Sequence, residues 1–185
     1  MKTLKFKKLK IATTLLCVVC SLTMSAQIGG WNPELENDAE EALQTMLEKT
    51  SKLESFRDAA YGYAVFPRVT KAGAAIGGAI GNGIVYKDNA IVGSSKLRQA
   101  SFGLQIGGQQ YIEVIFFENE TSFNHFTNGK LKFDAQASAV LLKEGASVDV
   151  AYHEGVAVFS STIGGVMAEA SIGGQHFKYE PKENE

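Results

Sequence analysis

The sequence predicts an α+β domain in which β-structure predominates: a curved antiparallel sheet, barrel- or sandwich-like, with an N-terminal amphipathic helix and a short helix near 120–127. Three observations carry this expectation. Between Asn32 and Ala60 the apolar residues Leu35, Ala39, Leu43, Met46, Leu47, Leu53 and Phe56 recur at steps of three and four, which places them on one helix face. From Tyr61 onward the pattern changes to short β-prone runs broken by glycine. Four Gly-Gly pairs, at 77–78, 107–108, 164–165 and 173–174, follow no fixed period, so they mark bends in strands and not a repeat array. Bends repeated across a small sheet imply strong curvature.

The elements follow in order. Residues 1–26 have signal-peptide layout: Lys2, Lys5, Lys7, Lys8 and Lys10, then an apolar run from Ile11 to Met24, then Ser25 and Ala26. Cleavage is expected after Ala26, because the run is short and carries Thr13, Thr14, Ser21 and Thr23, unlike a membrane span of about 20 apolar residues. The helical segment 27–60 opens with Asn32 as N-cap, Pro33 at the first helical position, and Glu34 and Glu36 at the positive end of the helix dipole. A β-rich domain then spans 61–179. Its expected strands include Tyr61–Phe66, Gly73–Ala79, Gly83–Tyr86, Ile91–Ser101, Phe102–Ile106, Tyr111–Phe117, Phe133–Leu142, Ser147–Tyr152, Val156–Ser160, Val166–Ile172 and Gln175–Tyr179. Phe123 and Phe126, three apart, suit a short helix that stops at Asn128-Gly129. An acidic tail, 180–185, completes the chain.

Charge narrows the partners. The segment 1–26 holds five of the 18 basic residues and none of the 20 acidic ones, which leaves the remainder at −7. That balance disfavours nucleic acid, whose binding depends on Lys and Arg displacing counterions. Both cysteines, Cys17 and Cys20, lie in the signal segment expected to be removed, so the mature chain is expected to have no thiolate chemistry. Leu16 and Val19 precede them, which disfavours lipoprotein processing.

Motifs for chemistry are missing where they are sought. Lys71 to Gly83 is glycine-rich but has neither the Gly-Lys-Ser/Thr ending nor a Gly-x-Gly-x-x-Gly turn into a helix, so no phosphate loop is read there. His125, His153 and His176 stand apart, without metal-ligand spacing. No Gly-x-Ser-x-Gly elbow occurs. Neither catalytic residues, metal nor cofactor are expected, and the chain is read as a protein that is not an enzyme.

The stretch Tyr63-Ala64-Val65-Phe66-Pro67-Arg68-Val69-Thr70-Lys71-Ala72-Gly73, followed by Gly77-Gly78-Ala79-Ile80-Gly81-Asn82-Gly83, resembles the opening signature of SYLF domains. Ser101 to Gly107 is similar to the family's central Gly-x-Gln-x-Gly strand, and Phe133 to Ser138 resembles its Asp-Ala-Ser-type segment. The family includes yeast actin regulators that bind a WASP-type protein and many secreted bacterial proteins. The resemblance implies a compact β-rich domain associated with lipid binding, and it brings no catalytic residues. Pro67 is expected to set a turn after the first strand, with Arg68 and Lys71 on it as cations for an anionic headgroup and Phe66 as an apolar neighbour. Gly73, Gly77, Gly78, Gly81 and Gly83 are read as structural glycines. The expected function is a lipid-binding or membrane-associated envelope protein, exported to the periplasm or outer membrane, with a phospholipid surface as partner. The alternative is a structural or protein-interaction module that binds another envelope protein without lipid.

Overall fold

The computed structural model describes residues 32–73, 76–102, 107–133, 139–141, 151–165 and 172–183. The expected signal segment 1–26 lies outside them, as do 103–106, 134–138, 142–150 and 166–171, where much of four expected strands falls, Phe102–Ile106 among them.

Helix α1 (Pro33–Lys49) begins as its sequence dictates: the Asn32 side chain accepts a hydrogen bond from the Glu34 amide at 3.0 Å, and Glu34 and Glu36 occupy the first turn. The helical pattern does not run unbroken to Ala60. Thr50 is extended and Ser51 starts a second helix, α2 (Lys52–Ala59). Two adjacent hydroxyl residues favour local side-chain bonding over helix continuation, and the Lys52 amide lies 3.4 Å from the Thr50 hydroxyl. Ala39, Ala42, Leu43, Met46 and Leu47 of α1 and Leu53 and Phe56 of α2 are buried.

The sheet comprises β1 (Gly62–Gly73), β2 (Ile76–Lys87), β3 (Ala90–Phe102), β4 (Gly107–Phe117), β5 (Val140–Leu141), β6 (Val156–Gly165) and β7 (Gln175–Pro181), in the order β5-β6-β4-β1-β2-β3-β7. Every pairing is antiparallel except the short parallel contact of β5 with β6. Helix α3 (Glu120–Thr127) sits between β4 and β5; a reciprocal capping box between Asn119 and Ser122 starts it, and Gly129 at φ 66° ends it.

Among the described residues β1 to β4 are longer than the glycine spacing suggested. Pro67 makes a bulge in β1, not a turn, and pairing resumes at Arg68. Gly73 ends β1, and residues 76–79 and 83–86 belong to one strand, β2. Its hairpin to β3 turns on Asp88 and Asn89, at φ 51° and 60°, the two left-handed residues of a tight hairpin.

Each face of the sheet has its own core. On one face α1 and α2 lie over Tyr63, Phe116 and Phe159, with the Phe56 ring centroid 5.9 Å from Phe116 and 5.0 Å from Phe159. The other face is concave and holds Ala64, Phe66, Val69, Val85, Leu97, Ile115, Phe117 and Phe177, closed over by Phe123 and Phe126 of α3. Phe126 lies 4.8 Å from Phe117 on β4 and 5.1 Å from Phe177 on β7. Strands four places apart thus meet through one helix side chain. The sheet is therefore strongly curved, yet it is open: β5 and β7 are its edges.

Candidate functional site

The helices cover only part of the outer face. The other part, toward the glycine-rich ends of β1 and β2, is bare among the described residues, and the register defines what it shows. One cross-strand row reads Gln110–Thr70–Ile80–Arg98–His176, and the next reads Arg68–Asn82–Lys96–Lys178. Val69, Ala79, Gly81, Leu97 and Phe177 alternate with these residues and face the concave core. Ile80 is 66 % exposed. Ile163 is exposed too, beside Gly164, the partner of Gln110.

Arg98 is therefore the direct cross-strand neighbour of the exposed Ile80, with Arg68 and Lys96 diagonal to it and Lys178 one strand further along. Lys96 and Lys178 both reach Glu180, at 3.3 and 3.0 Å, and their hydrogen bonds hold that carboxyl below its usual range. Arg68 and Arg98 form no ion pair among the described residues. The acidic α1 lies on the opposite part of this face, where Lys182 meets Glu36 at 3.2 Å. Within the bare part the acid is Glu180, held by Lys96 and Lys178.

The three side chains expected to form a headgroup site on a turn stand on a strand and do not converge. Phe66 is fully buried in the concave core, Lys71 is buried, and Arg68 alone is exposed. The error lies in the bulge: a proline after Phe66 reads as a turn, whereas an edge-free strand accommodates it by displacing one residue. Gly83 sits opposite Phe66, and a Cβ there would lie 2.6 Å from its ring. At Gly78 a Cβ would come within 2.9 Å of the Gln99 carbonyl oxygen.

Lys71 belongs to an interior polar layer. Gln109, Lys71, Ala79, Gln99 and Gln175 are successive cross-strand neighbours at one end of the concave face. Just beyond this row, Glu113 is fully buried and accepts a hydrogen bond from Gln175 Nε2 at 3.0 Å. Burial pushes the Glu113 carboxyl up to about 7, against the lowering effects of Gln175 and the nearby Lys71. Gln99 Nε2 donates to the Gly173 carbonyl at 2.8 Å. Among the described residues Glu113 Oε1, Gln109 Oε1 and Gln175 Oε1 have no hydrogen-bond partner.

Among the described residues no group of three His, Cys, Asp or Glu side chains is placed to hold a metal ion, and no helix is long and apolar enough to cross a membrane. Sequence reasoning did not single out Ile80, Lys96, Arg98 or Lys178. The signal was present as strict alternation in Lys96-Leu97-Arg98 and His176-Phe177-Lys178, but only the pairing of β3 with β7 makes them neighbours.

The fold is that of a β-rich domain with an open, curved, mostly antiparallel sheet. Residues 98–185 match the model of the Ysc84 family, described as "Las17-binding protein actin regulator". Beta cell expansion factor A of Aeromonas veronii is 28% identical over 162 residues, covering 79% of this chain and 59% of that protein. The chain thus spans less than two thirds of that relative's length.

Proposed function

We propose that this protein is a non-catalytic, lipid-binding component of the cell envelope, exported after loss of residues 1–26, and that the bare part of the outer sheet face docks on anionic membrane. One observation carries the reading: Arg68, Lys96, Arg98 and Lys178 lie on the same face as the 66 % exposed Ile80, on a surface that none of the described helices covers. A basic side chain close to an anionic bilayer contributes about 1 kcal/mol. Four cations offset by Glu180 are enough for reversible adsorption, and Ile80 supplies an apolar contact beside them. The −7 net charge argues against adsorption in any orientation; it requires a local contact, which this face provides.

The family description names protein binding, so an interaction module using the same face is the competing reading. Vesicle co-sedimentation separates them. Binding to vesicles containing phosphatidylglycerol, with none to pure phosphatidylcholine, is expected. Absence of binding to both supports the interaction module.

A further inference from the structure

A second surface lies on the far side of α3. There the chain leaving the helix, the His153–Val156 hairpin and β6 enclose a cleft of about 1040 Å³, at the upper end of the roughly 300–1,000 Å³ that small-molecule sites occupy. Its floor is the concave core itself: Val156, Val158 and Ile172 are buried there, with Leu131 and Phe133 half-buried against them. Its rim is polar and cationic. His125, Lys130, Lys132 and His153 are all exposed lining residues, opposed by Glu154 as the single acid among those described.

The position of the rim is built in. Gly129 reverses the chain at φ 66°, and the Lys130 and Leu131 amides both donate to the His125 carbonyl, at 2.7 and 2.9 Å. That turn fixes Lys130 and Lys132 beside His125 while Leu131 and Phe133 face the core, an alternation that puts charge at the mouth and hydrocarbon below. The His153 amide and carbonyl pair with Val156 across a two-residue turn, which holds the opposite wall.

We infer that this cleft binds a single-chain anionic amphiphile of the fatty-acid class, its carboxylate at the Lys130/Lys132/His125/His153 rim and its chain along Val156, Val158, Leu131 and Phe133. A cationic mouth over an apolar floor selects against neutral apolar molecules, which leave the rim unused, and against cationic amphiphiles, which it repels. The inference extends the lipid-binding reading to a site separate from the outer face, and each is tested on its own residues.

Isothermal titration of the full mature chain with dodecanoate, octanoate and dodecyltrimethylammonium tests it. Saturable binding of dodecanoate is expected, weaker binding of octanoate, and weaker binding of dodecyltrimethylammonium. The charge reversal Lys130→Glu/Lys132→Glu should weaken dodecanoate by about tenfold or more, as loss of charge-assisted contacts does. It should also strengthen the trimethylammonium amphiphile. Both side chains are exposed, so the melting temperature should hold. Arg68→Glu/Arg98→Glu should leave dodecanoate binding intact whatever it does to vesicle binding, so failure of one site is distinguishable from failure of the other. Absence of saturable dodecanoate binding, equal affinity for both headgroups, or an unchanged affinity in the Lys130/Lys132 variant would each overturn the inference.

Discussion

Glu113 on β4 accepts a hydrogen bond from Gln175 on β7 at 3.0 Å, although three strands separate β4 from β7 in the sheet. The bond spans the concavity and ties its two flanks together. It does so with a carboxyl that burial holds up to about 7, well above its exposed value. Such a group stays protonated in the native state at pH values where the unfolded chain has released its proton. Its contribution is fully present below the unfolded pKa and is lost as pH rises through the folded one.

Stability should therefore fall between about pH 4.5 and pH 7 by up to roughly 1.4 kcal/mol per unit from this residue alone. Glu113→Gln keeps the shape and the amide partner while removing the titration. The melting temperature of the native protein relative to this variant should be higher at pH 5.5 than at pH 8. A difference independent of pH would place the Glu113 carboxyl in water.

Met46 of α1 is fully buried against the sheet, and Gln44 on the same helix is exposed. Met46→Ala should cost about 2–5 kcal/mol, as truncation in a packed core does. Gln44→Ala should stay within about 0.5 kcal/mol. Equal effects of the two in urea denaturation would show that α1 is not docked.

Gly83 faces the Phe66 ring and the Val65 carbonyl oxygen, both 2.6 Å from where a Cβ would stand. Because backbone is one of the two obstacles, the ring cannot relieve the clash by rotating. Gly83→Ala should destabilise by roughly 1–3 kcal/mol, the cost of overpacking. An unchanged denaturation midpoint would mean that β1 and β2 can separate at this point without penalty.

The N-terminal helical segment, the capped short helix after Asn119 and a curved antiparallel sheet were legible because each rests on local signals: periodicity, cap residues and glycine placement. The long β1 was not, since a bulge at Pro67 depends on what pairs on both sides of the strand. The candidate site was legible only at Arg68. Lys71 has the same side-chain chemistry, but an odd number of residues separates the faces of a strand, and the three-residue step from Arg68 to Lys71 puts one outside and the other in. Lys96, Arg98 and Lys178 become a cluster through β3–β7 pairing, which is a long-range property. Glu113 looked like an interruption in an apolar run; its Gln175 partner is 62 residues away.

Export makes a separate expectation. Material recovered from the medium or periplasm should begin at Gln27, which intact-mass analysis reads directly. A retained 1–26 segment would anchor the protein and change how the sheet face meets a bilayer.

The central claim is that the bare outer face binds anionic membrane, and co-sedimentation of Arg68→Glu/Arg98→Glu with phosphatidylglycerol vesicles tests it most directly. Neither arginine is ion-paired among the described residues and both are exposed, so the fold should be preserved. The unmodified protein should bind, lose binding as salt is raised toward 1 M, where the Debye length falls to about 3 Å, and the variant should bind at least about tenfold more weakly at low salt. Equal binding by the variant and the unmodified protein would contradict the account.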